Sequence, residues 1–150
     1  MKPEVNLFTI GFTRKSAKQF FDTLTEARIH RLIDARLNNS SQLAGFTKKK
    51  DLEYFLKVIC NIEYIHLLDL SPTKDILNEY KKNGGDWQVY EQQFLQLMRD
   101  REVENKFLPE LFNQGCLLCS ETTPEQCHRR LVAEYLQEKW QDINLNIYHL

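Results

Sequence analysis

Residues 5–19 read Val-Asn-Leu-Phe-Thr-Ile-Gly-Phe-Thr-Arg-Lys-Ser-Ala-Lys-Gln, and this stretch decides the fold. Its first half is β-branched and aromatic and stops at Gly11, which is typical of a β-strand. Ser16 and Gln19 then have the spacing of a capping box, so a helix is predicted to begin directly after Ser16. A strand followed at once by a helix is the repeating unit of α/β proteins.

The same alternation continues outward to the end of the chain. Short apolar runs predict further strands at residues 31–36, 64–67, 116–119 and 145–150. The segments between them have the apolar spacing of helices, and two of these helices have a predicted N-cap, Asp86 and Thr123. The pattern predicts one α/β domain over the whole chain: a three-layer sandwich in which helices cover both faces of a mainly parallel sheet of about five strands.

The composition suits a globular domain, since the chain has 150 residues of which 42% are hydrophobic and 27% charged. No apolar run approaches the roughly 18 residues that a membrane-spanning helix needs, so no membrane partner is expected. The N-terminus lacks the apolar region of a secretory signal, and the 4 cysteines are irregularly spaced. We therefore expect free thiols and a cytoplasmic location rather than a disulfide framework. No cofactor is predicted.

The charge is nearly balanced overall but unevenly distributed. The formal net charge is −1, which argues against a generally cationic protein that coats nucleic acid. Residues 11–50 carry 9 Lys or Arg against 3 acids, whereas residues 51–110 carry 7 against 12. The basic segment either steers an anionic ligand or is a solvated face that keeps the protein soluble.

A parallel sheet binds its ligands beyond the carboxyl ends of its strands, where loops and helix N-termini converge. That rule selects the loops that follow Ile10, Arg36, Leu67 and Cys119. The charged and sulfur-bearing residues of the chain fall in or beside these loops, so we expect them to share one pocket.

The first three loops carry residues with both a structural and a functional interpretation. Gly11 and Thr13 form either a plain turn or a close approach to a ligand. Asp34 and Arg36 are two apart on the predicted second strand, so they project to one side and either form a structural ion pair or contact a ligand. His66 ends the third strand and either enters the pocket or makes structural hydrogen bonds.

The last loop and the helix after it hold the densest chemistry. With Thr123 as the N-cap, Cys127 lies about one turn into the helix, where unpaired amides and the helix dipole favour a thiolate. Cys119 ends the preceding strand, close enough in sequence to face the same crevice. His128 is a candidate base or ligand, and Arg129 is a candidate binder of a phosphate or carboxylate.

A metal site is not predicted. Cys116 and Cys119 are three apart on a strand, so their side chains point to opposite faces and cannot share a tetrahedral ion. Cys119, Cys127 and His128 are geometrically easier, but they lack an evident fourth ligand.

Five motifs occur in order along the chain. They are Thr9-Ile10-Gly11, Asp34-Ala35-Arg36, Tyr64-Ile65-His66, Leu117-Leu118-Cys119-Ser120-Glu121 and Pro124-Glu125-Gln126-Cys127-His128-Arg129. In this order they resemble the bacterial and archaeal family called domain of unknown function 488, over nearly the whole chain. The resemblance implies an intracellular α/β domain whose motif residues gather at one edge of the sheet, with no established reaction. The implied site residues are Gly11, Asp34, Arg36, Cys119, Glu121, Cys127, His128 and Arg129. The chain departs from the family at Phe12, where many members have a histidine.

Three functions compete on this evidence. The first is an enzyme for a phosphorylated or nucleotide-like anion, with the anion on arginines, a cysteine as nucleophile or redox centre, and a carboxyl or imidazole moving protons. Its residues are Arg36 and Arg129, Cys119 or Cys127, and Glu121 or His128, respectively. The second is a non-catalytic module that binds nucleic acid or a nucleotide through residues 14–18 and 48–50. The third is a structural protein in which the Cys-His-Arg segment only joins the last strand to the last helix. The oligomeric state is not predicted.

Overall fold

The computed structural model describes residues 1–39, 45–82, 84–120 and 126–150. Within these residues, five strands form one sheet in the order β3-β2-β4-β1-β5. The strands are β1 (Glu4–Gly11), β2 (Arg31–Asp34), β3 (Glu63–His66), β4 (Gly115–Cys119) and β5 (Asn144–His149). Every pairing between neighbouring strands is parallel, which confirms the predicted parallel sheet. All carboxyl ends of the strands therefore meet at one edge.

Helices cover both faces of the sheet, as predicted. They are α1 (Ala17–Glu26), α2 (Lys49–Phe55), α3 (Lys74–Lys82), α4 (Trp87–Arg101), α5 (Val103–Lys106) and α6 (His128–Lys139). α2 continues into a π-helical turn at Leu56–Cys60. α1 and α2 enclose one apolar cluster against the sheet, and α4 and α6 enclose the other. No helix in the described ranges is long and apolar enough to cross a bilayer.

The first strand–helix unit forms as its sequence predicts. The Ser16 side chain accepts from the backbone N–H of Gln19, and the Gln19 side chain accepts from the backbone N–H of Ser16. The buried side of α1 consists of Phe20, Phe21 and Leu24, which are spaced for one face of a helix. The cap and the apolar face agree on where α1 begins, so the chain turns back onto the sheet within a few residues of β1.

Two predicted boundaries are wrong, and side-chain bonds explain both. β2 ends at Asp34 instead of Arg36 because the Asp34 carboxylate accepts the backbone N–H of Arg36, the group that a longer ladder would use. α6 begins at His128 instead of after Thr123, and its N-cap is Cys127 in extended conformation, with φ −140 and ψ 137. Cys127 is bonded to Cys119 at the end of β4, which holds it outside the helix. Thr123 itself lies outside the described residues.

Candidate functional site

A crevice of about 260 Å³ lies at the carboxyl edge of the sheet. Its polar side is formed by Arg36, Ser120, Cys127 and His128. Its apolar side is formed by Pro72, Leu77, Tyr80, Trp87 and Tyr90, from α3, α4 and the segment before them. The parallel sheet thus brings Arg36 together with the residues that follow β4, although they are some ninety positions apart in sequence.

The floor of the crevice is organised by a buried ion pair between Asp34 and Arg36. Arg36 donates from Nε to Asp34 Oδ1 and from Nη2 to Oδ2, both over 2.8 Å. Asp34 is fully buried and Arg36 is only 3% exposed. The hydroxyl of Tyr64 donates to the same carboxylate over 2.6 Å. The structural half of the predicted alternative, an Asp–Arg ion pair, is therefore present.

Asp34 stays ionised despite its burial. Burial alone would raise the pKa of this carboxyl, but the hydrogen bonds and charge of Arg36, with the Tyr64 hydroxyl, hold it below the usual range. Burial of Tyr64, and then the charge of the Asp34 carboxylate, raise the pKa of the Tyr64 hydroxyl. The pair consequently remains charged at neutral pH and fixes the guanidinium plane.

One nitrogen of this guanidinium makes no hydrogen bond within the described part of the chain. Besides its bonds to Asp34, Arg36 donates from Nη2 to the backbone oxygen of Thr47 over 2.7 Å. Its carbon Cζ lies 5.4 Å from the centre of the Phe12 ring. Nη1 is buried and has no hydrogen-bond partner among the described residues. The structural bonds of Arg36, to Asp34 and to Thr47, thus use Nε and Nη2 and leave Nη1 unused.

The two cysteines of the motif are joined to each other. Cys119, the last residue of β4, and Cys127, the N-cap of α6, form a disulfide with Cα atoms 7.3 Å apart. The expectation of free thiols is therefore wrong for this pair, because the end of β4 and the start of α6 meet. It holds for Cys60 and Cys116, and burial raises the pKa of the Cys116 thiol. Cys116 packs under α1, on the face opposite Cys119, as its spacing predicted.

Arg129 lies beneath the crevice, where it is fully buried. It donates from Nη1 to Cys119 Sγ over 3.4 Å and from Nε to Thr9 Oγ1 over 3.2 Å. Burial, and then the charge of Arg129, lower the pKa of Lys15 nearby. Of the two arginines predicted to bind an anion, Arg36 lines the crevice, whereas Arg129 does not and instead contacts the sulfur of Cys119.

His128 is held as a neutral ring. Its Nε2 donates to the backbone oxygen of Ala35 over 2.7 Å, because a carbonyl can only accept. Burial lowers the pKa of His128 to about 4, an effect that the Ala35 carbonyl opposes and the charge of Arg129 reinforces. At neutral pH the ring is therefore uncharged, with its one proton on Nε2 and none on Nδ1.

Cys119, Cys127 and His128 form a compact group whose ligand-type atoms all lie within 4.8 Å of one another. Two sulfurs and an imidazole are donors that Zn²⁺ accepts. The two sulfurs are bonded to each other, however, and the described residues add no fourth donor to the group. A metal would need both cysteines in the thiolate form.

The remaining predicted site residues either lie around the crevice or fall outside the residues that the structure describes. Gly11 ends β1 beside Cys119 and has no positive φ, and Thr13 donates to the backbone oxygen of Ser120, so both serve the connection between β1 and β4. His66 donates from Nε2 to the backbone oxygen of Arg36 and makes a second bond to Asn39. Glu121, a predicted proton carrier, lies outside the described residues.

Sequence reasoning missed the aromatic wall of the crevice. Trp87 and Tyr90 stack with ring centres 4.8 Å apart, and Tyr80 meets both rings edge-on. Their helical spacing predicts an ordinary core, which Tyr90 does join. The signal that could have found the wall is the Gly84-Gly85 turn, where both glycines have positive φ. This turn brings the start of α4 back against α3.

Of the comparisons with known proteins, the one with protein-family models found a match. A family model described as Domain of unknown function DUF488 matches residues 16–136. Searches of curated proteins and of solved structures gave no match. The matched region contains the crevice and both members of the Cys119–Cys127 disulfide.

Proposed function

The chain belongs to the family described as Domain of unknown function DUF488, and we propose that it is an enzyme acting on a small anionic substrate, phosphorylated or nucleotide-like, in the crevice. The observation that carries this proposal is that Nη1 of Arg36, a residue of the crevice lining, is buried and finds no hydrogen-bond partner in residues 1–39, 45–82, 84–120 and 126–150. A buried donor without an acceptor costs about 1–3 kcal/mol. An anion in the crevice would supply that acceptor.

The surroundings of Arg36 favour a negative ligand. α6 is a helix of 12 residues whose N-terminal residues, Cys127 and His128, line the same crevice. The first N–H groups of a helix have no partners within it, and the helix dipole favours negative charge at that end. Because Asp34 holds Arg36 by two of its three nitrogens, the guanidinium is fixed before the anion arrives.

Cys127 is the proposed nucleophile, once the disulfide is reduced. It is the cysteine of the pair that lines the crevice, whereas Cys119 is fully buried. A sulfur at a helix N-terminus is favoured as thiolate, which is the attacking form. In this assignment Cys119 and Arg129 support the nucleophile from below, and His128 positions the start of α6 through Ala35.

The apolar wall suggests what the rest of the substrate looks like. Trp87 and Tyr80 are partly exposed and line the same crevice as Arg36 and Cys127. Aromatic faces stack with planar rings, and such stacking tolerates different bases. A ligand with a ring at one end and a phosphate at the other would use both sides, which is why a nucleotide-like substrate is preferred to a simple phosphate.

The test is protection of Cys127 from alkylation. The reduced protein is treated with iodoacetamide in the presence of phosphate, pyrophosphate or adenosine monophosphate, and the modification of Cys127 and Cys60 is followed by mass spectrometry. We expect the anions to slow modification of Cys127 and to leave Cys60, on the far side of the sheet, unchanged. Equal rates with and without every anion would overturn the proposal.

A variant pair assigns the protection to the arginine. Arg36→Met should weaken it about tenfold or more, the value of a hydrogen bond to a charged group. Arg31→Met, at the opposite end of β2, is the matched control and should not weaken it. If Arg36→Met does not fold, the protection of Cys127 is measured instead in Arg36→Lys, which keeps the charge.

A nucleic acid is the second candidate ligand. The exposed lysines Lys18, Lys48, Lys49 and Lys50 lie on or beside α1 and α2, the helices of one face. Binding through them would weaken steeply with salt, because each phosphate contact releases counterions. Fluorescence anisotropy with a single-stranded oligonucleotide would show this. Binding that is absent, or indifferent to salt, removes this candidate.

A further inference from the structure

We propose that Cys119 and Cys127 are a dithiol–disulfide couple that reduces small anionic organic disulfides in the crevice. The two sulfurs are bonded although the residues come from different elements, the end of β4 and the start of α6. The exchange reaction is inferred from the Cys119–Cys127 pair alone. The preference for an anionic partner rests on the proposed function, because it uses the same anion subsite at Arg36.

The two cysteines have unequal access. Cys127 is only 3% exposed, but it lines the crevice at the N-terminus of α6, so an incoming disulfide approaches it through the crevice. Cys119 is fully buried and is within reach of Cys127 but not of a ligand. This inequality assigns the order of events: Cys127 attacks the substrate, and Cys119 resolves the product.

The reaction balances in two exchange steps. The Cys127 thiolate attacks one sulfur of the substrate R–S–S–R, which breaks that S–S bond, forms a mixed disulfide and releases the first RS⁻. The Cys119 thiolate then attacks Cys127 Sγ, forms the Cys119–Cys127 disulfide and releases the second RS⁻. The two thiol protons go to solvent. The protein is oxidised by two electrons, the substrate is reduced by two, and an external dithiol such as dithiothreitol restores the starting state.

Arg129 suits this chemistry better than it suits a metal centre. Its guanidinium donates to Cys119 Sγ over 3.4 Å, so it stabilises negative charge on that sulfur when the disulfide opens. The same positive charge, buried beside the sulfur, opposes a divalent cation held by Cys119, Cys127 and His128. The couple needs only the two sulfurs, whereas the metal needs a further donor.

The test measures how many thiolates the pair releases. A Cys60→Ser variant removes the partly exposed thiol that lies outside the site, and Cys116 is fully buried. The reduced variant, freed of dithiothreitol, is mixed with dithiobis(nitrobenzoate), an aromatic disulfide with two carboxylates. We expect a fast release of two aryl thiolates per protein. Adding Cys119→Ser should leave one, with the mixed disulfide trapped on Cys127, and adding Cys127→Ser should abolish the fast phase.

The charge preference is tested with a neutral aromatic disulfide, dithiodipyridine. Arg36→Met should slow the reaction with the carboxylate probe about tenfold more than the reaction with the neutral probe. An unchanged ratio, with two thiolates still released, would overturn the anionic preference and the proposed anion subsite together. Arg31→Met, which removes a half-buried arginine that is paired with Glu63 at the other end of β2, is again the control.

Other results would overturn the couple and leave the anion subsite standing. One is release of a single thiolate from the protein with both cysteines. Another is a reduced protein that binds one equivalent of zinc and, once zinc is bound, no longer shows the fast release of aryl thiolates. Peptide mapping of the reacted protein finds the Cys119–Cys127 link directly, so the proposal stays testable even if a serine variant does not fold.

Discussion

The guanidinium of Arg129 lies against Cys119, with 3.4 Å between Nη1 and Sγ, and neither side chain is exposed. A buried charge is costly unless it is paired and hydrogen-bonded. Arg129 also donates to Thr9 on β1, so it ties two adjacent strands to the first turn of α6. The arrangement places a fixed cation where a sulfur anion would form on reduction.

The first prediction concerns the redox equilibrium of the pair. Arg129→Gln should shift the Cys119–Cys127 pair toward the disulfide about tenfold, because the reduced form loses a charge-assisted hydrogen bond. Alkylation and mass spectrometry in glutathione buffers of known ratio measure the oxidised fraction. Arg129→Lys should recover part of the shift, since it keeps the charge. The same oxidised fraction in all three proteins would contradict a role for the guanidinium at this sulfur.

The second prediction concerns the ion pair in the crevice floor. Asp34→Asn should lower the free energy of unfolding by about 3–5 kcal/mol, because it leaves a buried arginine without its counter-charge. Urea denaturation measures this loss. The control is Asp22→Asn in the exposed pair that Asp22 makes with Lys18, where no measurable loss is expected. Comparable small losses in both variants would mean that Arg36 finds another partner.

The third prediction concerns the pH dependence of stability. The pKa of His128 is lowered to about 4 by burial, so the folded protein binds its proton less readily than the unfolded chain. Stability should be full above the unfolded pKa of about 6.5, fall as the pH drops below it, and level off below about 4, with a total loss of about 3 kcal/mol. Asp34, whose folded pKa is depressed, contributes a separate loss below its unfolded pKa of about 3.9.

Variants separate this histidine from the others. His128→Gln, which can still donate to the Ala35 carbonyl, should remove most of the fall between about pH 6.5 and pH 4. His30→Gln, at an exposed position, should leave the fall unchanged. Urea midpoints across this range decide between them. A wild-type protein equally stable at both ends of the range would show that His128 is protonated without cost.

Two features that depend on residues close together in the sequence were predicted correctly. The capping box at Ser16 and Gln19 and the N-cap at Asp86 both form, because each depends on side chains a few residues apart. The parallel sheet was predictable from alternation, and its geometry places Arg36 and Cys127 in one crevice. These parts of the fold and site follow from short-range patterns plus one topological rule.

What could not be predicted depends on contacts between distant segments. Thr123 has a good cap pattern, but the bond between Cys119 and Cys127 delays the helix to His128. Arginine is a residue type typical of exposed anion-binding sites, yet Arg129 is fully buried because its position on α6 faces the sheet. Such outcomes are decided by packing across the edge of the sheet, and a single sequence carries no record of that packing.

The fourth prediction concerns Gly115, which begins β4, the strand that carries Cys119 at its other end. A methyl group added at Gly115 would lie 2.9 Å from the backbone oxygen of Phe112 and 3.0 Å from Ile33 Cδ1. The backbone oxygen cannot rotate away, so β4 itself has to shift within a close-packed core. Gly115→Ala should therefore lower the free energy of unfolding by about 1–3 kcal/mol.

Gly45 offers the matched control, because an added methyl group there meets nothing within 4 Å and its φ is not positive. Gly45→Ala should be neutral or slightly stabilising, by up to about 1 kcal/mol, through the reduced freedom of the unfolded chain. Urea denaturation compares the two variants. If β4 shifts as a unit in Gly115→Ala, the Cys119 end moves with it, and the fast release of thiolates should slow in the same protein. Loss of stability with an unchanged fast phase would show that the strand absorbs the strain before it reaches the crevice.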